Sequence, residues 1–414
     1  MALRLLHTSD WHLGQLFYEF DRTHEHEAFL KWLEVTIVKN EIDVLLICGD
    51  VFDVSSPSAS STRLFYGFLT SVTRALPNLQ IVVVAGNHDS AARLEAPKDL
   101  LDAFNVTVIG LIPKKADRTI DYEKLLIPLT DKKAVRRAWC MAIPFLRQGD
   151  YPVIEGAAQP YSEGVTKLYQ DAYAYALTQN AAGEAIVVTG HLHTLGAGSS
   201  DGDKSERQIG GIDFIPAVAF HEGIAYTALG HIHKAQKVGG KETIRYSGSP
   251  LPMSFSEINY KHQVLVVELE GEKMTSVLPL EIPVTVPLLR IPAQPKSIPE
   301  VELELNQLPE ATDKRHLAPF LEVRVLLDGP EPALRQKIEE LIKNKEVRLT
   351  RIDRCFGKSL SAGASEVKTP SELSTMKPLE LMKGYFKKLY NTEAPEDLVT
   401  LFGEVTNELE SKES

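Results

Sequence analysis

Val44-Leu45-Leu46-Ile47-Cys48-Gly49-Asp50-Val51-Phe52-Asp53 joins a continuous apolar run to a glycine and two acidic residues. The run lacks polar alternation, the pattern of a strand buried on both faces. Asp50 then stands alone between glycine and apolar neighbours on the loop that leaves the strand. Working outward, the same arrangement recurs. Ser9-Asp10-Trp11-His12 follows the strand-like run 3–7, and Gly86-Asn87-His88-Asp89 follows 81–84. Gly190-His191-Leu192-His193 follows 185–189, and Gly230-His231-Ile232-His233 follows 226–229. Residues 106–109, 139–143 and 264–269 are further strand candidates, and helical spacing marks 25–38, 61–72 and 165–181. Strands alternating with helices predict an α/β fold with helices covering sheets. In such folds the carboxyl ends of the strands converge on one edge, where ligands bind.

The repeated blocks mix carboxylates, imidazoles and one amide. Singly, an aspartate after a strand is more often a helix cap, and a histidine is more often a satisfied polar group. Together, glycine before an acidic residue or a histidine at four strand ends points to metal. Hydrolysis of a phosphodiester near neutral pH needs a hydroxide and a means of neutralising charge in the transition state. Two metals about 3.5–4 Å apart supply both. Asp50 is the best candidate for a carboxylate shared between them. Asp10 and His12, two residues apart, project to one side if the backbone is extended. Mixed nitrogen and oxygen donors suit manganese, with magnesium, iron and zinc as competitors. No thiolate lies in the blocks, which weighs against a structural zinc site.

With 414 residues the chain has room for two or three domains. Its 43 % apolar and 24 % charged content is that of a globular protein, and no apolar run reaches the roughly 18 residues of a membrane span. The N-terminal residues lack a long apolar stretch with a small-residue cleavage site, so no secretory signal is expected. Cys48, Cys140 and Cys355 form no CxxC pair. That predicts a reducing cytoplasm and buried, apolar roles for the thiols. The net charge of −11 opposes strong binding of nucleic acid by this chain alone. Bound metals or a partner subunit would offset it.

Pro279, Pro283, Pro287, Pro292, Pro295 and Pro299 predict an extended crossover between domains over residues 272–300. Residues 238–241 read as a hairpin turn. A small α/β unit follows the prolines, with strands over 320–327 and 347–352 and a helix over 331–344. Residues 356–366 read as a linker, and 196–211 as a glycine-rich loop. The tail predicts two amphipathic helices, carrying Leu379, Met382, Phe386 and Leu389, then Leu398, Leu401, Phe402, Val405 and Leu409. Their apolar faces fit either a hairpin folded back on the body or a docking element for a partner helix.

The blocks D-x-H, G-D, G-N-H-D, G-H and G-H-x-H resemble the calcineurin-like metallophosphoesterase superfamily over roughly residues 1–270. More narrowly, HTSDWHLGQ, GDVFD, AGNHDS, ALGHIHKAQ and YSGSPLPMSF resemble the SbcD-type nuclease family, which belongs with the Mre-type break-repair nucleases. The resemblance implies a metallophosphoesterase β-sandwich flanked by helices over 1–275. It also implies a small α/β capping domain over 276–355, a linker over 356–368, and C-terminal helices over 369–414 that dock an SbcC-type, SMC-like ATPase. By similarity, Asp10, His12, Asp50 and His233 would hold one metal, and Asp50, Asn87, His191 and His231 the other. His88 would face the scissile phosphate, and Asp53 would pair with His88 and orient it. His193, second after its glycine, would be incidental or a support. The implied activity is 3′→5′ exonuclease on duplex DNA and endonuclease on single strands and hairpins. It would serve repair, recombination and replication, in a cytoplasmic homodimer using two divalent ions, manganese foremost.

Two other enzyme readings are a phosphoprotein phosphatase and a cyclic-nucleotide phosphodiesterase. Phosphoprotein phosphatases of this superfamily continue G-D-x-x-D with Arg-Gly, whereas Val54-Ser55 follows here. A non-enzymatic scaffold would have lost ligands, and every ligand position is filled.

Overall fold

The computed structural model describes residues 2–194, 214–312, 315–356, 378–390 and 392–413. The expected linker over 356–366, save Phe356, and the expected loop over 196–211 lie outside them. The chain divides into two compact units, Met1–Thr285 and Val286–Ser414.

The first unit is built on two six-stranded sheets. In the first, Leu3–Thr8, Val44–Cys48, Gln80–Val84 and Val106–Ile109 run parallel, and Gln263–Glu270 and Lys273–Glu281 add antiparallel strands beside Leu3–Thr8. In the second, Arg136–Met141, Ala185–His191, Tyr226–Gly230 and Lys241–Tyr246 run parallel. Antiparallel strands Leu126–Thr130 and Gln236–Val238 close its edges. The hairpin expected at 238–241 is present, turning through Gly239 and Gly240, both at positive φ.

Strand Val44–Cys48 shows why the apolar runs read as they do. Leu46 and Cys48 join the core shared with Cys140, Val187 and Ala228 of the second sheet. Leu45 and Ile47 point the other way, against Phe29, Leu33, Phe65 and Leu69 of helices Thr23–Lys39 and Ala59–Ala75. Each such buried side chain contributes about 1.5–3 kcal/mol. Both faces are covered, so neither carries polar residues. Helix Pro160–Gln179 packs Val165, Leu168, Tyr169 and Ala172 on the other face of the second sheet, where Tyr169 Oη lies against Gly190.

Two expectations are corrected. The proline-rich stretch contains two strands, Lys273–Glu281 and Leu288–Lys296. Both lie at sheet edges, where a missing N–H faces no partner strand. The first of them pairs with Gln263–Glu270, so the first unit runs to Thr285, beyond the boundary expected at 275.

In the second unit Phe320–Leu327 is the centre of a parallel three-stranded sheet between Leu288–Lys296 and Arg348–Phe356. Helices Ile298–Asn306 and Leu334–Ile342 bury Val301, Leu305, Ile338 and Ile342 on it. Helices Pro378–Tyr390 and Glu396–Glu413 contact each other.

Candidate metal centre

The five blocks stand at the carboxyl ends of parallel strands of both sheets, and main-chain hydrogen bonds lock the first two loops together. Asp10 N donates to Gly49 O and His12 N to Asp50 O, each at 3.0 Å. The backbone here is not extended. Asp10, His12, Asp50 and His231 have φ of 55°, 45°, 49° and 97°. Asp10 and His12 therefore meet through left-handed turns, not through the period of a strand. Such conformations cost about 1–3 kcal/mol each and persist only where packing over-determines them. Trp11, fully buried between them against Phe29, Phe65 and Phe68, supplies that packing.

Glycine precedes the ligands for a spatial reason. A Cβ on Gly86 would lie 2.1 Å from Asp50 Oδ1, and one on Gly49, itself at φ +88°, would lie 2.1 Å from His191 Nδ1. Only glycine lets the two loops approach closely enough for their side chains to meet.

Asp50 is central. Its Oδ1 accepts the His88 main-chain N–H at 2.9 Å. Its Oδ2 lies 3.2 Å from His191 Nε2 and 3.7 Å from His12 Nε2. Asn87 Oδ1 sits 2.9 Å from His191 Nε2 and 3.1 Å from His231 Nδ1. Asp10 Oδ1 accepts the His231 N–H at 2.9 Å, and Ser9 Oγ donates to Asp10 Oδ2. The His233 ring lies 5.2 Å from that of His12. Ligand-type atoms of Asp10, His12 and His233 fall within 4.8 Å of one another, as do those of Asp10, Asp50 and His191 and those of His12, Asp50 and His88. The structure thus brings all seven expected ligand residues and His88 into one cluster. His193 is in none of these groups; it packs edge-on against Phe214, ring centroids 4.9 Å apart.

The far nitrogens of the rings are held by oxygen acceptors. His191 Nδ1 donates to Cys48 O at 2.9 Å, His12 Nδ1 to Asp53 Oδ1 at 3.2 Å, and His233 Nδ1 to Glu257 Oε1 at 3.3 Å. Such partners fix the tautomer and leave the other nitrogen's lone pair for a cation. His88 Nδ1 donates to the main-chain oxygen of Asp53 at 2.8 Å. The expected side-chain pairing of Asp53 with His88 is not what the structure shows: Asp53 meets His88 through its backbone carbonyl, and its carboxylate lies against His12. Glu257, buried in the short helix Phe255–Glu257, was not anticipated. It lies 24 residues beyond His233, and no spacing in the sequence ties the two together. Asp89 plays a structural part: its carboxylate accepts the N–H groups of Gly86, Val51 and Phe52 at 2.8–3.2 Å, pinning one loop on the other.

Burial alone would raise the Asp50 carboxyl, yet His191, with His12 and His88, holds it far below the usual carboxylate range. Burial opposes the charge on His191, but the adjoining Asp50 raises its pKa to about 9. Without an ion the two form a carboxylate–imidazolium pair, in which a bound cation would take the place of the His191 proton. His12 Nε2 is buried without a hydrogen-bond partner. With Nδ1 donating to Asp53, that nitrogen presents a bare lone pair, a costly state in a dry interior. A divalent cation shared with Asp50 would satisfy it. The donors present, imidazole nitrogen with carboxylate and amide oxygen, fit such an ion.

A sandwich of two parallel-centred sheets with this cluster at its strand ends defines a metallophosphoesterase. Residues 3–235 match the family model of the calcineurin-like phosphoesterases. Residues 284–390 match that of the type 5 capsule protein repressor C-terminal domain. The chain is 37 % identical to the SbcD subunit of nuclease SbcCD from Rhodobacter capsulatus, over 84 % of this chain and 86 % of that protein. It is 34 % identical to the SbcD subunit of nuclease SbcCD from Escherichia coli K12, over 90 % of each. The chain belongs to the calcineurin-like phosphoesterases, in the SbcD family of nuclease subunits.

Proposed function

We propose that this chain is the nuclease subunit of an SbcCD-type complex and cuts the phosphodiester backbone of DNA with two divalent metal ions. The observation that carries this reading is Asp50, one carboxylate placed within 3.7 Å of histidines from two separate ligand groups. Asp10, His12, His233 and Asp50 would hold one ion, and Asp50, Asn87, His191 and His231 the other. Bound there, the ions supply a hydroxide at neutral pH and positive charge for the phosphate oxygens. Manganese is the ion that the donor set favours, with magnesium as the alternative.

His88 is the residue for the leaving oxygen. Its Nδ1 is committed to Asp53 O, so Nε2 is the atom that would hydrogen-bond the scissile phosphate or hand a proton to the departing oxygen. Asp53 acts behind His12 and His88 as a positioning residue. The Val54-Ser55 pair, in place of a phosphate-binding Arg-Gly, turns the reading away from phosphoprotein substrates.

Two surfaces support the remaining assignments. Leu100 and Phe104 are 67 % and 53 % exposed and border an apolar recess of about 250 Å³ with Tyr66 and Leu69, a surface that a second copy of the chain would cover. In the tail helices Tyr385 and Leu401 are 67 % and 58 % exposed, which fits docking of an SMC-like ATPase of the SbcC type. That partner would help to hold DNA that a chain of net charge −11 holds poorly alone. Among the described residues no helix is long and apolar enough to cross a membrane. A cytoplasmic site of action suits the three free cysteines.

The test is cleavage of an end-labelled hairpin DNA and of a linear duplex in manganese, with and without the ATPase partner. Hairpin opening and 3′→5′ shortening are expected from the wild type and not from His88→Ala. Equal cleavage by His88→Ala would overturn the assignment.

A further inference from the structure

Arg147 and Lys234 each adjoin a ligand-bearing loop, and among the described residues neither guanidinium nor ammonium forms an ion pair. Other cations of this unit are neutralised: Arg22 grips Glu25 through two hydrogen bonds, Arg137 binds Asp131, and Lys237 and Arg245 both bind Glu242. In an acidic chain, cations without a carboxylate partner beside a carboxylate-rich cleft call for an external anion.

Both cations rest on aromatic rings that are tied to the metal-binding scaffold. Arg147 lies over Phe145, 5.2 Å from the ring centroid, and its Nη2 is 3.4 Å from Asp89 O in the His88 loop. Phe145 meets the His191 ring edge-on at 6.2 Å, and its N–H is held by Ala85 O at 2.8 Å. Asp150 takes the main-chain N–H of Arg147, leaving the charge of the guanidinium unmatched. Lys234 directly follows His233 and lies over Tyr260, 5.5 Å from its centroid. The Tyr260 N–H is held by the main-chain oxygen of Glu257, the residue whose carboxylate supports His233. A cation seated on an aromatic face keeps its charge and loses part of its freedom before any ligand arrives. Arg147 and Lys234 are thus preset at two different edges of one cluster.

We propose that Arg147 and Lys234 hold the backbone phosphates that flank the scissile one, so that the nucleic-acid strand crosses the cluster from the His88 loop to the His233 loop. This rests on the nuclease reading above. Phosphate contacts of this kind position the strand without reading its sequence, which suits an enzyme that cuts wherever an end or hairpin is presented.

The experiment measures binding of the full chain to a short duplex by fluorescence anisotropy, without metal, from low to moderate salt. The same proteins, loaded with manganese, are assayed on that duplex and on bis(p-nitrophenyl) phosphate, a diester with no flanking phosphates. Arg147→Gln and Lys234→Gln should each reduce the slope of log affinity against log salt by about one, and the double variant by about two. Each should lower the ratio of kcat/KM on duplex to that on the small diester by about tenfold, through KM. Arg147→Lys, which keeps the charge, should recover the salt slope. An unchanged salt slope in both variants, or equal losses on both substrates, would overturn the proposal while leaving the nuclease reading intact. If the wild type hydrolysed the small diester but neither bound nor cut DNA, the nuclease reading would fall and this proposal with it.

Discussion

The carboxylate of Asp53 lies 3.2 Å from Nδ1 of His12, behind the ring whose Nε2 stands 3.7 Å from Asp50. Main chain and side chain of Asp53 thus serve different histidines, because the carbonyl of the same residue receives His88 Nδ1. This division determines what a substitution at residue 53 does.

Asp53→Asn keeps the carbonyl that holds His88 and removes the charge behind His12. Manganese affinity should fall by about 10–100-fold, while turnover at saturating manganese stays within about threefold of wild type. Titration of metal by calorimetry and rates at two manganese concentrations check this. A large loss of turnover that excess manganese does not restore would show that the carboxylate acts on catalysis directly.

His88→Ala should behave in the opposite manner. Its loss should reduce the single-turnover rate by about 10²–10⁴-fold, the usual contribution of a positioned acid or base. Two manganese ions per chain should remain bound by elemental analysis. Loss of metal would instead make His88 a ligand, as its closeness to His12 and Asp50 permits.

Gly86→Ala tests the close approach of the loops. The new Cβ would lie 2.1 Å from Asp50 Oδ1, so the loop must move and the shared carboxylate with it. Metal binding should drop by at least about tenfold, with circular dichroism unchanged and the melting temperature modestly lowered. Wild-type metal affinity in this variant would contradict the geometry.

Two buried histidines make stability sensitive to acid. Burial, then the charge of Arg22, lowers the His26 pKa to about 3, and both of its ring nitrogens lack partners. Burial likewise lowers His7 to about 3, outweighing its hydrogen bond to Leu229. Below the ordinary histidine pKa near 6.5, the unfolded chain takes up protons that the folded chain refuses. Stability is therefore complete above about pH 6.5 and falls toward pH 3, by about 1.4 kcal/mol per pH unit for each histidine. Urea unfolding of chelator-treated protein between pH 7 and 4 should show this slope. His26→Leu should make it shallower by one histidine's share, and an identical slope would refute the assignment.

Leu398→Glu with Leu401→Glu tests the tail. The double variant should lose co-purification with the ATPase partner while retaining manganese-dependent cleavage by the isolated chain. Undiminished association would remove the docking role from these helices.

Much of the first unit was legible because burial on both faces leaves a strong trace. Residues 44–48 and 106–109 form strands where the apolar runs place them, and the others shift by a few residues at their ends. The strand expected at 139–143 forms at Arg136–Met141, since the exposed, charged start of an edge-ward strand carries no apolar signal. Lys273–Glu281 was hidden by its proline, which an edge strand tolerates and a central one does not. Glu257 was hidden because its pairing with His233 is a contact in space alone.

The sequence by itself determined the inventory: which side chains could bind metal, and that each follows a strand and in most cases a glycine. It could do so because residue type and local spacing are properties of neighbours along the chain. Only the tertiary structure decided how those residues face one another. Asp10 and His12 converge through left-handed backbone that no periodicity announces, and Asp53 turned its carboxylate to His12, not His88. Both outcomes depend on loops from different strands competing for the same space, where a Cβ or a main-chain oxygen a few ångströms away decides which partner is reached.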